Sequence, residues 1–166
     1  MVSEPTVASD PKPDKGSQAR SAARLAAVQA LYQMDIAQTE LENVISEFTA
    51  HRMGPDEDIT PPDVDHFQDV VRGVVREQRM LDGKINDRLA RGWALARVDA
   101  TLRAILRAGT YELQRCEQIP LKVVITEYVD VAHAFFEGDE PGVVNAVLDK
   151  LGHEMRGDGD QHGADK

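Results

Sequence analysis

Apolar residues return every three or four positions through most of this chain, the spacing that lays one face of an α-helix against a core. The clearest stripe lies in DATLRAILRAGTYELQR, Asp99 to Arg115, where Leu102, Ile105, Leu106, Gly109 and Leu113 predict a buried central helix. Arg103 and Arg107 stand four apart beside the stripe, and Ala108 and Gly109 are small enough for a second helix to approach the backbone. A glycine costs about 1 kcal/mol relative to alanine inside a helix, so close packing explains Gly109 better than helix propensity does.

The same spacing predicts further helices on both sides. A first helix starts at Ser17 or Gln18 and runs to about Gln38, with Leu25, Val28, Leu31, Tyr32 and Ile36 on its buried side and Arg20 and Arg24 one turn apart near its start. Arginines there oppose the helix dipole, a cost that hints at a polyanion partner as readily as at a solvated face. A second helix from about Leu41 to Arg52 buries Leu41, Val44, Ile45 and Phe48 and stops before Met53-Gly54-Pro55. Asp63 caps a third, with Val64, Phe67, Val70, Val71, Val74 and Val75 inward and Arg72, Arg76 and Arg79 on the other side.

Leu81, Ile85, Leu89 and Trp93 step by four through a fourth helix that frays at Gly92. The central helix is the fifth. Ile119-Pro120 opens a sixth, where Leu121, Val124, Ile125, Val129, Ala132 and Phe135 face the core; the β-branched run at 123 to 125 is helical by its flanks. Asp139-Glu140-Pro141 supplies a cap and an early proline for a seventh, with Val144, Val147, Leu148 and Leu151 buried. The expected fold is all-α, a single bundle of about seven helices over residues 18 to 156. Residues 1 to 17 and 157 to 166 are too rich in proline, glycine and small polar residues to offset the entropy of ordering, and are expected to be disordered tails.

The 166 residues, 42% of them hydrophobic, suffice for one core. The lone Cys116, the lack of an apolar run of membrane length and the lack of a signal-peptide pattern lead to the expectation of a cytoplasmic protein without disulfide, metal or cofactor. Net charge is −10, which by itself argues against a nucleic-acid coat. Its distribution changes that picture: Lys15 to Met34 contains no acid, whereas Asp56, Glu57, Asp58, Asp63, Asp65 and Asp69 make the next third strongly acidic. Such a chain could hold a polyanion at one place and a basic protein at another.

Five blocks then occur in order: ALYQMD at 30 to 35, FQDVVRGV at 67 to 74, LRAILRAGTYEL at 102 to 113, IPLKVVITEYVDVA at 119 to 132 and VVNAVLDKL at 143 to 151. Over Arg20 to Leu151 the chain resembles the NusB transcription antitermination factors. The resemblance implies an RNA-binding protein that recognises single-stranded boxA RNA of nascent ribosomal transcripts, together with the basic ribosomal protein NusE, in an RNA polymerase antitermination complex; self-association into a homodimer is a further possibility. It also implies, by position, an RNA surface of Arg20, Arg24, Tyr32, Asp139 and Asn145. Two departures stand out. Ser21, Ala22 and Ala23 interrupt the arginine run usual in the family, and Val143 stands where an aromatic residue is usual, leaving no ring there for a base to stack on. Lys12 and Lys15 in the tail are expected to compensate.

Catalysis has no support in the residues. There is no glycine-rich phosphate loop, no GxSxG and no metal-ligand spacing, and Asp130 and Asp149 are ordinary residues of solvated helix faces. The competing reading is an acidic helical protein-interaction module without direct RNA binding, which the −10 charge and the thin arginine run suit.

Overall fold

The computed structural model describes residues 14–51 and 60–157. Six helices are present among them: α1 (Lys15–Ala37), α2 (Leu41–His51), α3 (Val64–Asn86), α4 (Ala100–Arg115), α5 (Leu121–Phe135) and α6 (Glu140–Arg156). The expectations placed on residues 1–13, on the acidic loop with Asp56, Glu57 and Asp58, and on residues 158–166 lie outside the described residues, as does Lys12.

α4 is the hub, as its stripe predicts: residues 102, 104–106 and 108–113 are buried, and the helix packs against α1, α3, α5 and α6. Asp99 caps it by accepting the Thr101 N–H at 2.7 Å. At its other end the Arg156 guanidinium donates to the carbonyls of Leu113 and Cys116 at 3.0 Å each, groups that no intrahelical donor reaches. Gly109 is required by packing: a Cβ there would lie 2.7 Å from Leu148 of α6. Leu106 and Leu148 are both fully buried in one core.

Three expectations need correction. The third and fourth helices are one, because Arg76 to Met80 contains no breaker and Leu81 and Ile85 simply continue the buried side of α3. Beyond Asn86 the chain turns, and Arg103 donates to the carbonyls of Leu95 and Val98 at 3.0 and 3.2 Å, which pins the 87–99 segment by side-chain bonds in place of a helical ladder. The first helix begins earlier than Ser17, because Asp14 accepts the Ser17 N–H at 2.6 Å; Lys15 therefore sits in a helical first turn. Asp139 occupies the N-cap position of α6 but makes no side-chain cap bond.

Candidate nucleic-acid interface

α1 is rich in alanine on the side it presents to α3 and α4, where Ala23, Ala27 and Ala30 are fully buried and let the helices approach closely. At about 3.6 residues per turn, Leu25, Gln29, Tyr32 and Ile36 share an outward side of this helix, and Lys15 in the first turn stands about 40° round from Gln29 and about 100° from Tyr32. Leu25, Tyr32 and Ile36 are 37%, 41% and 59% exposed, which corrects their expected burial. The sequence could not show this, since a helix wedged among several neighbours has apolar residues almost all round.

Arg24 belongs to the interior, not to the surface expected of it. Its side chain is 1% exposed, and its Nε donates to both carboxylate oxygens of Glu112, itself 0% exposed, at 3.1 and 2.9 Å. Its Nη2 donates to Glu112 at 3.0 Å, and its Nη1 reaches Glu127 of α5 at 3.0 Å. The Tyr128 hydroxyl donates to Glu112 as well, and Ser21 donates to Glu127 at 2.6 Å. His66 Nε2 lies 3.2 Å from Glu112 Oε1, at ion-pair distance but outside hydrogen-bond geometry. Burial works to raise the Glu112 carboxyl, yet the approach of His66 and the bonds from Arg24 outweigh it and hold the group below its usual range. Burial, and after it the Glu112 charge, pushes the Tyr128 phenol well above its ordinary value. A guanidinium paired with two carboxylates and 1% exposed is out of reach of a phosphate.

Arg20 opens onto a cavity of about 710 Å³ that is acidic: Asp14, Asp63, Asp65, Asp69 and Glu127 line it beside Arg20 and the neutralised Arg24. Their summed field opposes a phosphate there. Beyond Glu112 the same side of the bundle holds Tyr111, whose hydroxyl donates to Asp69 at 2.7 Å; burial and that bond raise its phenol to about 12.

Tyr32 lines a different groove of about 420 Å³, between α1, α2, the start of α4 and the end of α5. Its walls are Val28, Gln29, Tyr32, Gln33, Ile36, Ala37, Phe48, Thr101 and Phe135, without a single charge. Phe135, expected in the core, is 44% exposed. The sequence does carry a signal for this: in the pair Phe135-Phe136 at the end of α5 only one ring can turn inward, and Phe136 is the one that packs on the core.

Asn145 lies elsewhere. With Asp149 and His153 of α6 and Leu121 and Ile125 of α5 it lines a third groove, of about 680 Å³, to which α1 contributes nothing. Asp139 is exposed at the start of α6. The candidates are thus divided: Lys15 and Tyr32 on one side of α1, Arg20 and Arg24 on another, Asn145 in a separate groove. On the outer side of α3, Arg72 pairs with Glu42 at 2.5 Å and Arg76 approaches Glu77 at 3.7 Å, so that stripe is partly neutralised too. Among the described residues no group of His, Cys, Asp or Glu could hold a metal ion, and no helix is long and apolar enough to cross a membrane.

Comparison with known proteins gives one answer. The NusB family model matches residues 21–153. A transcription antitermination protein NusB of Rhodopseudomonas palustris (strain HaA2) is 53% identical over 151 residues, covering 89% of this chain and 89% of the relative. A solved structure of T. maritima NusB superposes with a TM-score of 0.73 at 27% identity, over 86% of this chain and 96% of that one. A structure of the antitermination factors NusB and NusE in complex with dsRNA shares the fold, with a TM-score of 0.70 at 21% identity over 81% and 96%.

Proposed function

This chain belongs to the NusB family of transcription antitermination proteins and is not an enzyme, and from that premise we propose that it binds the boxA element of nascent ribosomal RNA together with the ribosomal protein NusE, within an antitermination complex on RNA polymerase. The observation that supports direct RNA contact is the exposed Tyr32 in an uncharged groove, with the exposed Lys15 beside the Gln29 edge of that side of α1. Single-stranded RNA is held through stacked bases and cations on phosphates, and this side of α1 offers one of each. Arg24 plays no part in that contact, since its guanidinium is spent on Glu112 and Glu127. Asp139 and Asn145 join the RNA surface only if the strand runs from the Tyr32 groove across to α6.

The acidic cavity around Asp63, Asp65 and Asp69 supports the second half of the proposal, a basic protein partner. It also favours the competing reading, an interaction module that recruits such a partner without touching RNA. A gel-shift titration with a short boxA RNA, run with and without NusE, separates the two. Binding that Lys15→Ala and Tyr32→Ala both weaken supports direct contact. Unchanged affinity in both variants, with the partner present, leaves the interaction module as the function.

A further inference from the structure

The Tyr32 groove carries more than one aromatic face, and its chemistry narrows what it can hold. Tyr32 is 41% exposed on α1 and Phe135 is 44% exposed at the end of α5, and both line one cavity with Ile36. Folding does not leave two aromatic rings and an isoleucine half-solvated at one place without cost: burying such side chains is worth about 1.5–3 kcal/mol each. The side chains of Gln29 and Thr101 line the same cavity and carry an amide and a hydroxyl. An occupant that suits aromatic faces, amide and hydroxyl groups and walls without a charged residue is a flat, neutral, hydrogen-bonding ring.

We propose that this groove is a pocket for one unpaired nucleobase of the bound RNA, with Phe135 as a second stacking wall opposite Tyr32 and with Gln29 and Thr101 reading the edge of the base. The proposal rests on the RNA-binding reading above and adds a residue to it that position along the sequence does not suggest. It also places the aromatic contact at the end of α5, away from Val143 in α6, which has no ring to offer. The phosphates on either side of the base then follow the outward side of α1 toward Lys15, at a distance of about 26 Å along the helix from Tyr32, enough for several nucleotides. The neutrality of the walls has a direct consequence: contacts in this pocket contribute to affinity without releasing counterions.

The test uses the full chain and a short single-stranded RNA carrying the boxA element, with NusE present, titrated over a range of salt concentrations. Phe135→Leu keeps an apolar side chain but loses the ring, and affinity is expected to fall by about 5- to 150-fold, the loss of one base stack, with an unchanged slope against log salt. Phe135→Trp is expected to restore affinity, and its fluorescence is expected to be quenched on RNA addition, whereas Lys15→Ala flattens the salt slope by about 0.7 and leaves that quenching in place. Circular dichroism checks that each variant keeps its helices. Equal RNA affinity of parent and Phe135→Leu overturns the base pocket. So does a loss of NusE affinity or of self-association in Phe135→Leu without a loss of RNA affinity, since the groove would then be a protein contact. If the parent chain itself binds no RNA with NusE present, the functional reading fails before the pocket is reached, and the two failures are told apart by that control.

Discussion

Removing Arg24 tests how the bundle is held at its centre. Arg24→Ala deletes the three hydrogen bonds to Glu112 and leaves a carboxylate with 0% exposure facing only the Tyr128 hydroxyl and His66. Breaking one side of a buried pair costs about 3–5 kcal/mol, because the surviving charge is uncompensated. The variant can escape part of that cost by protonating Glu112. From an unfolded value near 4.3, holding the proton at pH 7 costs about 3.7 kcal/mol, whereas at pH 5 it costs about 1 kcal/mol. The destabilisation relative to the parent should therefore shrink by about 2.7 kcal/mol between pH 7 and pH 5, leaving the packing lost with the arginine stem. Urea melts of parent and variant at both pH values measure this, and the double variant Arg24→Ala, Glu112→Gln should lose most of the pH dependence because no buried charge remains. A loss below about 1 kcal/mol at pH 7, or one that is the same at both pH values, refutes the reasoning and returns Arg24 to the list of surface cations.

Other outcomes follow from the same packing. The parent itself should lose stability as pH falls through the carboxylate range: the Glu112 carboxyl is held low in the folded state, so its contribution is complete above about pH 4.3 and disappears as pH drops through the folded value, which acid titration by circular dichroism reads directly. Gly73→Ala would put a Cβ 2.1 Å from the Tyr111 ring and should cost about 1–3 kcal/mol, while Gly83→Ala meets nothing within 4 Å and should be neutral or stabilising by up to about 1 kcal/mol; thermal melts that rank them the other way contradict the described α3–α4 contact. Leu106→Ala should cost about 2–5 kcal/mol in urea. Association with a basic partner should slow as salt rises, measured by stopped flow, and a salt-independent rate would point to an apolar interface.

The sequence by itself determined the class of fold, the hub and the family. Periodicity finds α4, α5 and α6 almost to the residue because each is amphipathic and bounded by a cap, a proline or a glycine, signals that act within one turn of the chain. The five ordered blocks carry the family, and residues 21–153 match it. Only the tertiary structure decided where α3 ends, because the stripe from Leu81 to Trp93 stays inward whether the backbone is helical or turning, and the turning segment beyond it is held by bonds from Arg103, a residue of another element, to Leu95 and Val98.

The same limit explains the site. Arg20 and Arg24 look alike one turn apart, yet one opens onto an acidic cavity and the other is buried, since the acids that decide it, Glu112 and Glu127, lie 88 and 103 residues away. Tyr32, Ile36 and Phe135 read as core because their spacing is that of a core stripe. Their exposure arises because the neighbours of α1 cover its alanine-rich side, a fact of helix packing that no local pattern encodes.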